Sequence, residues 1–289
     1  MAGTGKKVLT GCGIGCGLVI ALNVVCGTGG YVLMKRLEGD FQQTIEAQAD
    51  LERDLGTIDD YVPAADGAVA ADRLETFLAA RARLEPARDA LAESFAAFAA
   101  ADEKATLSRI LSAIGAGIGL APKIADFVTA RTEALTAEDI GFGEYAYIYC
   151  LCYYAFLGHA PDDETPGGHL KIESESRDGV FIIRTESDED ENLARQRYRR
   201  VMLGALERRL DLVAGRDDAA GERLAEEIRA EIARLVDDPE RLPYADGLSR
   251  AVATSLEPYR ARLEDTWWPA TNLLELARMH KEGKSFIVE

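Results

Sequence analysis

Histidine is scarce in this 289-residue chain: there are three, His159, His169 and His280. Imidazole is the commonest general base and metal ligand, so few options exist for either role. No HExxH or CxxC string is present. No serine–histidine–aspartate set can be argued from residue order. Cysteine is sparse too. Of five, Cys12, Cys16 and Cys26 precede residue 34, and Cys150 and Cys152 stand two apart in an apolar run. No disulfide framework is legible, so the body must be held by its core. Helix positions two apart face different directions. Cys150 and Cys152 therefore read as inert buried thiols.

Basic charge is in deficit: 33 Lys and Arg stand against 50 Asp and Glu, for a net charge of −17. Two lysines are the only charges before residue 35, so residues 35–289 carry −19. Phosphate backbones would repel such a surface, which argues against nucleic-acid binding. It also argues against lying flat on an anionic membrane.

The most telling absence is of any charge between Val8 and Met34, 27 residues flanked by Lys6-Lys7 and Lys35-Arg36. At 1.5 Å per residue, about 20 apolar residues cross a hydrocarbon core, so 8–34 reads as a transmembrane helix after a short tail, 1–7. Its glycines are tolerated because the helix satisfies its own backbone groups. A cleaved signal peptide is the alternative, with Leu18–Val25 as apolar core. Asn23 and the resumed run Tyr31–Met34 count against it. A lipoprotein site is not supported, since no apolar run precedes Cys12 and Val25 precedes Cys26. The short tail favours an inside amino terminus, a signal-anchor in the cytoplasmic membrane with residues 35–289 extracytoplasmic. Gly11/Gly15 and Gly13/Gly17 have the four-residue spacing that lets helices approach, so a protein partner or self-association through the span is expected, against the reading that glycine is simply frequent in membrane helices.

After the anchor, residues 35–58 read as a helical stalk with Leu37, Phe41 and Ile45 on one face. That stripe needs cover, either the domain or a second copy. Gly56, Pro63 and Asp66-Gly67 mark a linker over 59–70. Residues 71–289 then read as one helical domain. Leu74, Phe77 and Leu78 form an apolar face, with Arg73, Arg81 and Arg83 expected largely elsewhere. Pro86 and Pro122 suit helix starts or kinks. Gly115, Gly117 and Gly119 follow helical periodicity rather than a strand, so they read as tight packing and not as a phosphate loop.

Residues 137–158 (AEDIGFGEYAYIYCLCYYAFLG) are apolar or aromatic on every side, which predicts a buried central helix. Thr136 and Asp139 offer an amino-terminal cap. A second span is the rival reading, but the clean run Tyr145–Leu157 is short for one. Buried tyrosine hydroxyls need partners. Glu144, Tyr145, Tyr149 and Tyr153 are the candidate ligand-binding residues, against the reading of a satisfied aromatic core. The loop that follows holds the candidate metal ligands His159, Asp162, Asp163 and His169. Imidazoles and carboxylates this close could hold Zn²⁺ or Mn²⁺, though the spacing matches no known motif. The acidic run 186–191 lacks EF-hand order.

Asp178-Gly179 between alternating segments signals a β-hairpin near 168–185. Two helices fill 192–236, the second with Leu224, Ile228, Ile232 and Leu235 inward and Glu226/Arg229 and Glu231/Arg234 on its wet side. Further helices are expected near 248–265 and 269–281, with Trp267-Trp268 as a plug or an exposed anchor. The fold class is all-α: a multi-helix bundle with one small β-hairpin insertion, preceded by a single N-terminal transmembrane helix. The function that fits is a membrane-anchored extracytoplasmic interaction or scaffold protein without catalysis or cofactor. The alternatives are a binding protein with a tyrosine-lined pocket and a metal-dependent hydrolase using the 159–169 loop.

Overall fold

The computed structural model describes residues 39–101, 120–161, 172–177, 180–185, 193–282 and 285–288. The 8–34 segment, Gly115–Gly119 and the acidic run 186–191 lie outside these. Among the described residues, no helix is long and apolar enough to cross a membrane.

The described chain is mostly helical and packs as a bundle. Helix α1 covers 39–55. It is followed by α2 (Ala71–Arg83), α3 (Glu85–Ala101), α4 (Leu120–Ala137) and α5 (Phe142–Tyr149). A π-helical segment, Cys150–Phe156, continues α5 without a break. Next come α6 (Leu193–Ala214), α7 (Ala219–Asp237), α8 (Arg250–Leu256), α9 (Arg260–Asp265) and the short α10 (Asn272–Glu275). Two antiparallel ladders accompany the helices. β1 (Ile172–Arg177) pairs with β2 (Val180–Thr185), and β3 (Met279–Glu282) pairs with β4 (Ser285–Val288).

The apolar stripe of α1 is covered by the domain itself. Phe41 and Leu51 are buried. The Thr44 hydroxyl meets that of Thr129 on α4 at 2.7 Å, and Gln48 accepts a hydrogen bond from the Met279 backbone N–H at 3.2 Å. The 56–70 segment is likewise stitched down rather than free. Arg208 donates to the Tyr61 carbonyl at 2.7 Å, Arg209 to that of Ala65 at 3.1 Å, and the Tyr147 hydroxyl to that of Gly67 at 3.0 Å. At the end of α1 the chain presses on the start of α5. A Cβ at Gly141 would lie 2.7 Å from the Leu55 carbonyl oxygen, so only glycine permits that approach.

The centre of the core is α5 and the π segment, where Tyr145 through Tyr153 are essentially inaccessible. Here the structure differs from three expectations in detail. The cap of α5 is Gly141, with no side-chain hydrogen bond, while Asp139 sits at φ 52°. Glycine fits because a side chain would collide with Leu55. The helix expected over 269–281 ends at Glu275 and gives way to β3. It stops because the Leu274, Glu275 and Ala277 carbonyls turn inward to a buried arginine. Glu231 on α7 is buried rather than wet, accepting from the Tyr244 N–H at 2.8 Å and from Arg234 at 2.7 Å.

Candidate functional site

One set of buried polar and aromatic side chains converges on residues 266–277. Helix α2 delivers Arg81 and α3 delivers Arg88, while α4 delivers Arg131. The α5–π column supplies Tyr145, Tyr149, Tyr153 and Tyr154. Arg81 and Glu275 form an ion pair with both side chains at 0% exposure. The other Glu275 oxygen accepts from the Tyr145 hydroxyl at 2.6 Å, and Thr271 donates to the first at 3.2 Å. Arg81 also reaches Tyr145 at 3.1 Å and the Thr266 carbonyl at 2.6 Å. Among the described residues, Arg131 has no carboxylate partner. It donates to the carbonyls of Leu274 and Glu275, both at 2.7 Å, and of Ala277 at 2.6 Å. Its guanidinium lies 4.8 Å from the Phe142 ring centre, within cation–π range.

The remaining hydroxyls are also partnered. Tyr149 donates to Asn272 Oδ1 at 3.0 Å and Tyr154 donates to the same oxygen. The Asn272 amide donates on to the Pro161 carbonyl at 2.8 Å. Tyr153 and Thr266 share a 2.7 Å bond between hydroxyls. The Arg81 guanidinium stands 5.3 Å from the ring centres of both Tyr149 and Tyr153.

Electrostatics follow from this geometry. Burial by itself raises the Glu275 carboxyl, but Arg81, the hydrogen bonds and Arg88 outweigh it and leave the pKa below its ordinary value. Burial pulls Arg131 down to about 10, against weaker support from Tyr145 and Glu275. Arg81 is held well above its usual value, because Glu275 and the tyrosines overcome the burial penalty. Burial pushes Tyr145, Tyr149, Tyr153 and Tyr154 upward, and Cys150 and Cys152 likewise. Near neutral pH the cluster therefore holds charged arginines, a carboxylate and neutral phenols. None of these groups titrates near neutrality, where an acid–base catalyst would be tuned.

The four candidate ligand-binding residues do not form one set. Tyr145, Tyr149 and Tyr153 belong to the Arg81–Glu275 cluster. Glu144 faces the other way and takes a forked pair of bonds from Arg73, at 2.7 and 2.5 Å. Of the candidate metal ligands, His159 is described and Asp162, Asp163 and His169 lie outside the described residues. His159 stacks on Trp267, ring centres 4.3 Å apart and 4° from parallel, with Nε2 3.5 Å from Glu264. Trp267 is half-buried against Tyr149 and Tyr153. Among the described residues, no three His, Cys, Asp or Glu side chains gather to hold a metal.

Arg81, Arg88, Arg131, Asn272 and Glu275 were not legible as a cluster. One signal existed: Arg81 follows Phe77 by four and Leu78 by three, the spacing of the apolar face itself. Arg131 bears the same relation to Phe127 and Val128. Residue type, rather than spacing, pointed these side chains outward.

A scan against protein-family models finds no match to the chain, and comparisons with curated proteins and with solved structures find none either.

Proposed function

We propose that the chain is a single-pass membrane protein whose helical body, with a small β-hairpin insertion, stands outside the cytoplasm and acts by interaction rather than catalysis. The observation that carries this reading is the docking of α1. An uncharged stretch long enough to span lipid leads, within five residues, to a helix whose buried stripe locks onto α4 and β3. A tether joined to the body in this way would hold it at a fixed height and attitude above the bilayer, as suits a scaffold. The closed polar cluster supports the same reading, since its phenols and carboxylate already have partners within the fold. The tyrosine pocket and the metal-dependent hydrolase gain no specific observation that favours them.

The test is topological. Intact spheroplasts carrying the full chain are treated with protease, and membranes are separately washed with alkaline carbonate. The expected result is a protein retained in the washed pellet with residues 39–289 degraded from outside. Deletion of 8–34 should release it. A body protected until lysis would reverse the topology, and release of the intact chain by carbonate would end the membrane reading.

A further inference from the structure

A second place in the molecule has the chemistry of a ligand site. A cavity of about 310 Å³ opens between the loop after α1, the first turns of α6 and the chain leaving α10. This is the small end of the range for ligand pockets, roughly 300–1,000 Å³. Its apolar wall is Val201, Leu276 and Met279, all buried. Its polar lining is arginine: Arg197, Arg200 and Arg278, with no acidic side chain among the described residues that line it. Such a concentration of positive charge is unexpected in a chain with net charge −17.

The arginines are not equivalent. Arg278 pairs with Glu52 through one terminal nitrogen, yet its buried Nε has no hydrogen-bond partner among the described residues. Arg197 has a contact of its own and adds only charge. Arg200 is exposed and makes no hydrogen bond or ion pair among the described residues. Guanidinium presents a fixed fork of donors that matches carboxylate and phosphate oxygens. A buried N–H left without a partner is unfavourable until an acceptor arrives.

We propose that this cavity binds a small organic anion, its carboxylate or phosphate head on Arg200 and Arg278 and a short apolar body against Leu276 and Met279. The site is independent of the membrane reading, because all its walls belong to the helical body.

The experiment uses the full chain in detergent, with hexanoate and hexyl phosphate as probes. Hexan-1-ol and inorganic phosphate are the controls for body and head alone. Calorimetric titration and thermal melting are the readouts. Saturable binding of at least one amphiphilic anion, with a rise in Tm and a clear margin over both controls, is the expected result. Comparing the two probes tells a carboxylate from a phosphate preference. Arg200→Glu should weaken binding by about tenfold or more, equivalent to 1.4 kcal/mol, and Arg200→Lys should weaken it less. Because Arg200 is exposed, both variants should melt like the parent without ligand. The proposal is overturned by no saturable binding at millimolar probe, by equal affinity in Arg200→Glu, by hexan-1-ol binding as well as the anions, or by inorganic phosphate matching hexyl phosphate.

Discussion

The polar centre around Glu275 and the α6–α7 hairpin solve the same problem, burial of helix faces, with opposite chemistry. In the hairpin, Leu206, Val213, Ala225, Ile228 and Leu235 close on one another, with Glu231 as the one buried acid of α7. Helix α7 starts from Asp218, whose carboxylate accepts from the Gly221 N–H at 2.6 Å. Apart from Glu231 and this cap, each side-chain contact within that apolar cluster is replaceable by another apolar contact. The centre instead buries Arg81, Arg131 and Glu275 completely. There, each group depends on a particular partner. Apolar packing degrades gradually when trimmed, whereas a buried charge is stable only while its partner remains.

The sharpest way to break this contrast is Glu275→Ala. It leaves Arg81 buried without its carboxylate, so a loss of about 3–5 kcal/mol is expected in urea unfolding. A loss below about 1 kcal/mol would mean that Arg81 finds other relief, and the centre would be no more brittle than the hairpin. Replacing both partners, Arg81→Met with Glu275→Leu, should recover much of the deficit, because apolar pairs of similar volume often equal buried ion pairs.

Acid offers a second route to the same group. The folded pKa of Glu275 lies below its ordinary value. Its contribution is therefore present above the unfolded carboxyl pKa of about 4.3. It fades as pH falls through the lower folded value, because the unfolded chain binds the proton more readily. Stability measured against pH should decline in that acid window, and the decline should be shallower in Glu275→Gln. Identical slopes in the two proteins would show that Glu275 is not the group being titrated.

The hairpin should respond more mildly. Ile228 is 3% exposed, and Ile228→Ala should lower stability by about 2–3 kcal/mol, toward the lower end of core truncations. A loss matching that of Glu275→Ala would erase the distinction between the two regions.

This contrast also explains what could be read from the chain. The spacing of Leu224, Ile228 and Leu235 announces α7, because apolar type and helical period agree. Residues 137–158 announce a buried centre because they are apolar or aromatic on every side. Arg81 and Arg131 conceal themselves because period and type disagree: three-to-four spacing puts them inward, while charge suggests solvent. Glu275 was hidden further, since its partner is 194 residues away in the chain. Nothing local in Asn272–Glu275 signals that its carbonyls and carboxylate will be met by arginines from α2 and α4. Glu231 misled in the same manner, its burial depending on the Tyr244 backbone beyond the end of α7. The covered face of α1 was legible as a stripe in need of a partner, but which partner covers it required Thr129 and Met279 in three dimensions.

The smallest effect is expected where the same residue types meet in water. Arg262 on α9 and Glu75 on α2 form a forked pair, with bonds of 2.7 and 2.9 Å. Both bonds have ordinary hydrogen-bond lengths, and the pair too ties α2 to the carboxy-terminal part of the chain. The difference is exposure: 53% for each side chain here, against 0% for each at the centre. Water solvates both charges whether or not they touch, so the pair removes little that solvent does not restore. Arg262→Ala should leave the urea midpoint unchanged within error at physiological salt. If the midpoint instead fell as far as in Glu275→Ala, pairing rather than burial would be the source of the brittleness at the centre. The contrast between the two regions would then have to be drawn by charge alone.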